Sequence, residues 1–400
     1  MQTYRLQDLC LTEISDGTHQ TPTYTEDKVN GYKFLSSKDV TTGKIDWQHI
    51  KYIPEELHNE LHARIAPRRN DILLAKNGTT GVAAIVDCDE VFDIYVSLAL
   101  IRPDTDKVIP KYLLYAINSP KSKEYFNRNL KGIGVPNLHL TQIRETPICV
   151  PSFSEQKHII AILDKIYALI EQRKEQLLQL DNLVKSRFIE LFGDPISNPK
   201  GLPVKTLKQL STLITNGNTP KGGSENYVAD GVLFIRSQNV WRNRIDLEDV
   251  AYIDETTHLS MKKSIVKHKD ILITKTGRIN TENSSLGRAA LYLGEDNSAN
   301  INGHVYLVRL DGSVIPEFVI TILTSEEYRK YIRKVCVGGI DKRQINLDQV
   351  EEFPIILPSV DQQSKFAYFV EQTEKLKLDV KEGLVKLETL KKSLMQQYFG

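Results

Sequence analysis

Residues 140–151 read LTQIRETPICVP, and residues 347–358 read LDQVEEFPIILP. Each run closes on a proline and leads into the same helix start, Ser152-x-x-Glu155 in one and Ser359-x-x-Gln362 in the other. These are capping boxes: the serine accepts from an amide one turn on, and the Glu or Gln reaches back to the cap amide. Outward from there the chain keeps repeating itself. GYKFLSSKDV from Gly31 returns as GVLFIRSQNV from Gly231, NDILLAKNG from Asn70 returns as KDILITKTG from Lys269, and Phe192-Gly193 returns as Phe399-Gly400. The register slips where the second copy takes a loop insertion before Gly287-Arg-Ala-Ala-Leu, the counterpart of Gly81-Val-Ala-Ala-Ile. A unit written twice predicts two similar domains related by an approximate two-fold, as in a symmetric dimer whose subunits have been fused.

Within each copy, aliphatic and β-branched runs bounded by polar turns, such as ILLA from Ile72 and ILIT from Ile271, predict strands. Pro110 and Pro316 stand at the first position of an apolar stripe of helical period and predict a helix in both copies. After Pro151 and Pro358 the pattern lengthens. Apolar residues recur at alternating three and four spacing, through Leu163, Ile166, Ile170, Leu177, Leu180, Val184 and Leu191, then through Val370, Val380, Leu384, Leu387 and Leu394. Gly383 is the weak point of the second series. A 3.5-residue repeat held this long predicts a coiled-coil seam, and a helix from Ser154 to Phe192 would measure ~57 Å at 1.5 Å per residue. The expected fold class is α+β: two mixed α/β domains at residues 1–151 and 195–357, joined by two long antiparallel helices at residues 152–194 and 358–400.

Composition limits the function classes. With 40% hydrophobic and 26% charged residues the chain can bury cores and is expected to be globular. Lys and Arg number 52 against 51 Asp and Glu, so any nucleic-acid surface must be local. No apolar run approaches the roughly 20 residues of a membrane helix. Cys10, Cys88, Cys149 and Cys336 lack CxxC spacing, and MQTYRLQDLC carries no export signal, so a cytoplasmic protein with free thiols is expected. Enzyme motifs are missing. Asp194-Pro195-Ile196 and Asn198-Pro199-Lys200 lack the second proline and aromatic of an amino-methyltransferase, and no GxxxxGK[ST] run could cradle phosphates. His58-x-Glu60-x-His62 fits no zinc-hydrolase motif and reads as a solvated helix face, with no metal site expected.

The G-x-x-F-[IL] block, the DIL run followed by Lys and Gly, and the L-x-x-[IV]-x-x-x-P strand entering an E-Q or Q-Q helix start together resemble the recognition domain of type I restriction-modification specificity subunits. Two copies span essentially the whole chain, so the two domains would be target-recognition domains. Gly78-Thr79-Thr80-Gly81 fits the family's Gly-[ST]-x-Gly turn, whereas Gly277-Arg278-Ile279-Asn280 departs from it. The resemblance implies that each domain reads half of a bipartite double-stranded DNA site. It also implies that the helices set half-site separation and dock two methyltransferase subunits, with restriction/translocase subunits outside them. S-adenosylmethionine, ATP and Mg would belong to those partners, and this chain would be non-catalytic and bind no cofactor.

Duplex DNA is held by Lys, Arg and small polar groups and read by Arg, Asn, Gln, Lys, Ser and Thr, so contact loops should be polar, Gly-hinged and present in both copies. Three pairs qualify: Ser36-Ser37-Lys38 with Arg236-Ser237-Gln238-Asn239; Lys76-Asn77-Gly78-Thr79-Thr80 with Lys275-Thr276-Gly277-Arg278; and Lys131-Gly132 with Gly338-Gly339 and Lys342-Arg343-Gln344. A weaker pair is Gly17-Thr18-His19 with Asn216-Gly217-Asn218-Thr219. Because the frame is kept while the side chains differ, the site read should be asymmetric. Two other readings stay open at this point, a diverged stand-alone nuclease or methyltransferase and a coiled-coil scaffold.

Overall fold

The computed structural model describes residues 2–40, 43–130, 136–220, 222–281 and 283–400. By contacts the chain forms two units, one of Met1–Lys174 with Lys381–Gly400, the other of Glu175–Val380. Both boundaries fall inside the long helices, so each helix gives one half to each unit.

The first unit holds strands β1 (Gln2–Arg5), β2 (Ser15–Asp16), β3 (Tyr32–Leu35), β4 (Lys51–Ile53), β5 (Ile72–Ala75), β6 (Ala83–Ile85), β7 (Phe92–Ile94), β8 (Leu98–Ile101) and β9 (Pro147–Val150). Its helices are α1 (Glu55–Arg64), α2 (Pro110–Ile117), α3 (Pro120–Asn129), α4 (Leu140–Arg144) and the start of α5 (Phe153–Phe192). Strands β2-β8-β5-β6 make an antiparallel sheet, β4-β3-β7 a mixed one, and β1 pairs with β9. Every residue of β5 is buried, as a central strand covered on both faces requires.

The second unit repeats this plan. Its strands are β10 (Val204–Thr206), β11 (Ser211–Asn216), β12 (Val232–Ile235), β13 (Val240–Trp241), β14 (Arg244–Ile245), β15 (Ala251–Ile253), β16 (Ile271–Thr274), β17 (Thr276–Arg278), β18 (Ala289–Leu291), β19 (Ala299–Ile301), β20 (Val305–Leu310), β21 (Val337–Gly338), β22 (Lys342–Gln344) and β23 (Pro354–Ile356). The helices are α6 (Glu255–Ser260), α7 (Pro316–Thr324), α8 (Glu326–Val335), α9 (Leu347–Glu351) and α10 (Val360–Phe399). Sheets β11-β20-β16-β18 and β15-β12-β19 match those of the first unit, and β10 pairs with β23. The second unit adds the hairpin β13-β14 and the ribbon β17-β22-β21.

The same buried ion pair braces each main sheet. Arg102 clasps Asp71 with Nε at 2.9 Å and Nη2 at 2.7 Å, and Arg309 clasps Asp270 at 2.9 and 2.6 Å. Each arginine also donates to a backbone carbonyl, Ala66 O or Ile265 O, so the desolvated charges have their bonds filled. Helices α2 and α7 begin on their prolines.

Both capping boxes close: Glu155 N donates to Ser152 Oγ at 3.3 Å while Ser152 N donates to Glu155, and Ser359 with Gln362 repeats the pair. The next residue is also repeated. Gln156 and Gln363 are buried; each accepts from the amide before its proline-initiated helix, Ile109 N or Ile315 N, and donates to Pro151 O or Pro358 O. These glutamines fasten the long helices to α2 and α7.

Pairing of α5 with α10 is antiparallel in each unit. In the first, Lys391 lies over the Tyr167 ring at 5.1 Å, and Gly383 faces the Arg173 guanidinium. In the second, Lys377 bonds Asp181 at 2.7 Å and Phe366 packs on Phe188 and Phe192. Of the seam residues, Leu163, Ile166 and Ile170 are buried. Leu177, Leu180, Val184, Leu191, Val370, Val380, Leu384, Leu387 and Leu394 are half-buried. The helix ends reach further into the cores than that series. Met395 and Phe399 join the first unit's core, where Phe399 lies 5.4 Å from the Tyr112 ring, and Phe192 sits 5.1 Å from Phe318 in the second. Gly193, at φ 79°, ends α5 with the left-handed turn that glycine adopts without strain.

Candidate nucleic-acid interface

In the first unit two of the loops expected to contact DNA, those of Ser36–Lys38 and Lys76–Thr80, meet at one end of the main sheet, around Ser97. Ser37 N donates to Ser97 Oγ and Lys76 N to Ser97 O, both at 2.9 Å. Leu138 N donates to Lys76 O at 2.8 Å, Gly78 N to Pro136 O at 3.3 Å, and Asn77 bridges Asn137. Ser36 is turned back onto the Asp39 carboxylate, whereas Lys38, Gly78 and Thr79 are exposed and Thr80 is half-buried.

Lys76 requires a correction. Expected on a contact loop, it is 6% exposed, and its ammonium lies 2.9 Å from Asp16 Oδ2, so its charge is spent inside the fold. The weaker loop pair has a structural reason instead: a Cβ on Gly17 would lie 1.9 Å from Ile94 O, and one on Gly217 2.2 Å from Ile301 O. Only glycine allows that approach. Lys131 and Gly132 lie outside the described residues.

The second unit draws two of its loops into one element. In the ribbon, Thr276 pairs with Gln344, Gly277 with Arg343 and Arg278 with Lys342, while β21 flanks β22. Ile345 N donates to Lys275 O at 3.0 Å, the counterpart of the Leu138 to Lys76 bond. Lys342 and Arg278 are exposed, the latter 3.2 Å from Asp341; Arg343 Nε donates to Gly339 O and Gln344 to Asn346. Lys275 is half-buried, its ammonium 5.7 Å from the Tyr306 ring.

On the neighbouring loop, Arg236 and Gln238 both bind the exposed Asp249, at 3.1 and 2.7 Å, and Ser237 is half-buried. Asn239 is the second correction. It is 2% exposed, accepts from Arg236 N and donates to Asp246 O and Asp249 O, so it shapes the turn rather than facing outward.

The inserted loop of the second unit is held from beneath by residues that sequence reasoning passed over. Ser285 Oγ donates to Thr276 O at 2.7 Å, and buried Arg288 donates Nε to Ser284 O at 3.0 Å while its guanidinium lies 3.9 Å over Trp241. Arg244 approaches the same ring, and Arg242 and Arg329 share Glu326. Burial, then the like charges of Arg242, Arg329 and Arg244, lower the pKa of Arg288. The run Trp241-Arg242-Asn243-Arg244 interleaves aromatic and basic residues, a pattern that could have flagged this face.

His58 gives the third correction. The helix face expected to be solvated carries a histidine that is 6% exposed and bonded to Asp93. Among the described residues no helix is long and apolar enough to cross a membrane.

Comparison with known proteins places this geometry. Residues 1–180 match the family model described as the type I restriction modification DNA specificity domain. The EcoBI type I restriction enzyme specificity subunit of Escherichia coli is 21% identical over 401 residues, covering 92% of this chain and 80% of that one. The MjaIX specificity subunit of Methanocaldococcus jannaschii is 24% identical over 340 residues, covering 80% and 74%. The crystal structure of the S subunit of the type I restriction-modification system from M. genitalium superposes with a TM-score of 0.56 at 14% identity, covering 100% of this chain and 96% of that one, and shares its fold. The matched family is a DNA-recognition module rather than an enzyme. Its model stops short of the second half, but that half repeats the strand pairing of the first, and the relatives run through both. The first 180 residues thus match the type I restriction modification DNA specificity domain, and the second half of the chain repeats that unit's strand pairing.

Proposed function

We propose that each unit of this chain reads one half of a bipartite, asymmetric duplex site, and that the helix pair holds the half-sites apart and docks two methyltransferase subunits, with restriction/translocase subunits beyond them. S-adenosylmethionine, ATP and Mg act on those partners, and the assembly works in the cytoplasm. One copy of the chain serves each duplex, whose two half-sites lie about one DNA turn apart, roughly 34–36 Å.

The observation that carries this reading is one frame presenting two chemistries. The same backbone bond, Leu138 to Lys76 and Ile345 to Lys275, anchors both recognition surfaces. Around it the first unit offers Lys38, Asn77, Thr79 and Thr80, and the second a ribbon bearing Arg278, Lys342, Arg343 and Gln344. In the B-DNA major groove, about 12 Å wide, Arg and Lys read guanine and Gln reads adenine.

The test is to map modified adenines in DNA exposed to the chain together with its methyltransferase partner. Two different short half-sites at a fixed separation are expected. A palindromic site, or methylation without sequence preference, would overturn the reading, as would turnover of S-adenosylmethionine or plasmid cleavage by the chain alone.

A further inference from the structure

Helix α1 sets His58 and His62 one turn apart, both facing Asp93 on β7. His58 Nδ1 lies 2.7 Å from Asp93 Oδ2 and His62 Nδ1 3.3 Å from Asp93 Oδ1. The three donor atoms lie within 4.8 Å of one another. Tyr32 stacks on the His58 ring at 3.7 Å and closes that side, while His62, its side chain 30% exposed, opens the other to solvent.

The second unit shows what the fold itself needs at this place. There His258 Nδ1 lies 2.5 Å from Asn300 Oδ1, and Asn300 also donates to Met261 O and Ser264 Oγ. In the sequence register of the repeat Lys262 corresponds to His62, but it lies beyond α6, which ends at Ser260, so the second unit presents no counterpart of His62 on its helix. A neutral amide and one imidazole thus suffice to dock the helix on its strand. In the first unit the amide is replaced by a carboxylate that is 1% exposed. Burying a carboxylate is costly unless a cation meets it, and docking alone does not ask for it.

We propose that the first unit binds a zinc ion between His58, His62 and Asp93, with water in the fourth position. Two imidazoles and one carboxylate are a borderline-soft donor set with one position open, which suits zinc and not magnesium. Zn–N bonds of about 2.0–2.1 Å place ligands roughly 3.3 Å apart in a tetrahedron, and His62 Nδ1 already lies 3.3 Å from Asp93 Oδ1. His58 Nδ1 contacts the other oxygen, Oδ2, at 2.7 Å, so to share one ion the carboxylate must turn and the donor atoms, now within 4.8 Å of one another, must close around it. The ion takes the place of the ring N–H protons and pins α1, whose Arg64 donates to Asp16 O beside Lys76, to the sheet carrying the first unit's loops.

The full chain is loaded with zinc, passed into zinc-free buffer and assayed for metal content and thermal unfolding, beside His62→Lys and Asp93→Asn. Asp93→Asn installs the amide that the second unit carries beside its histidine, and the His62 side chain is 30% exposed, so both chains should fold. One zinc per chain is expected for the wild type. Either variant should bind more than roughly 100-fold more weakly, because losing a direct ligand exceeds the 10–100-fold lost with an outer partner. Zinc should raise the unfolding midpoint of the wild type alone, and a chelator should reverse the rise. Zinc should also protect His62 from acylation by diethylpyrocarbonate, a readout on the unmutated chain that does not depend on how the variants fold. A wild type that retains no zinc, variants that retain as much, no protection of His62, or selective retention of magnesium would each overturn the proposal.

Discussion

Lengthening both long helices by one heptad tests whether they are the ruler between half-sites. The insertions belong after Lys174 in α5 and after Val380 in α10, where the division between units falls. There neither core loses its anchors: Leu163, Met395 and Phe399 stay with the first, and Phe188, Phe192 and Phe366 with the second. Seven residues keep the three-four spacing of the seam in phase and add about 10 Å at 1.5 Å per residue. At 3.4 Å per base pair that is about three base pairs of extra spacer. Three base pairs also turn one half-site by about 100° relative to the other, so the helices or the DNA must absorb a twist and affinity should fall. Selection of bound duplexes from a library with randomised spacer length, using the complex with its partner subunits, should return the original half-sites at the longer separation. A folded insertion mutant that still prefers the original spacer would falsify the ruler. Lengthening only one helix should instead destabilise the pair, since Lys377 with Asp181 and Gly383 with Arg173 can then no longer both stay in register.

Replacing Lys342, Arg343 and Gln344 with alanine should relax preference in the second half-site by roughly 1–3 kcal/mol for each residue that makes a bidentate base contact, leaving the first untouched; equal weakening on all sequences in a binding selection would reduce them to phosphate contacts. Lys76→Met should cost about 3 kcal/mol of stability by leaving Asp16 buried without its cation, yet leave the salt dependence of DNA binding unchanged. A salt slope reduced by about one for Lys76→Met would put that lysine back on a phosphate. Gly383→Ala should stabilise the helix pair by about 0.5–1 kcal/mol in denaturant titration, because the new Cβ would lie 3.8 Å from Arg173 Nε, an ordinary contact; destabilisation would mean that the guanidinium needs that space.

The duplication, the helix starts and the seam were legible because each is a local signal. Ser152 with Glu155, Pro110 at the head of α2 and the spacing from Leu163 to Leu191 involve neighbours within one or two turns, where backbone geometry relates spacing to a shared face. The candidate contact loops stand out in the sequence as polar, Gly-hinged stretches present in both copies. Which side chains on them face outward was not legible there. Lys76 and Asn239 look like any contact residue in sequence, and only the burial of Asp16 and the carbonyls of Asp246 and Asp249 turn them inward.

The amino-acid order alone thus determined that there are two recognition units, where their helices begin, and that the two surfaces share a frame while differing in chemistry. Tertiary structure alone decided which half of each long helix joins which core, how Thr276–Arg278 and Lys342–Gln344 become one ribbon, and that His58 meets Asp93. The physical reason is sequence distance. A cap or a seam is settled by bonds and packing within a few residues, whereas Asp16 with Lys76, His58 with Asp93 and Phe399 with Tyr112 become neighbours only after the sheets have taken their register and the two helices have run back along each other.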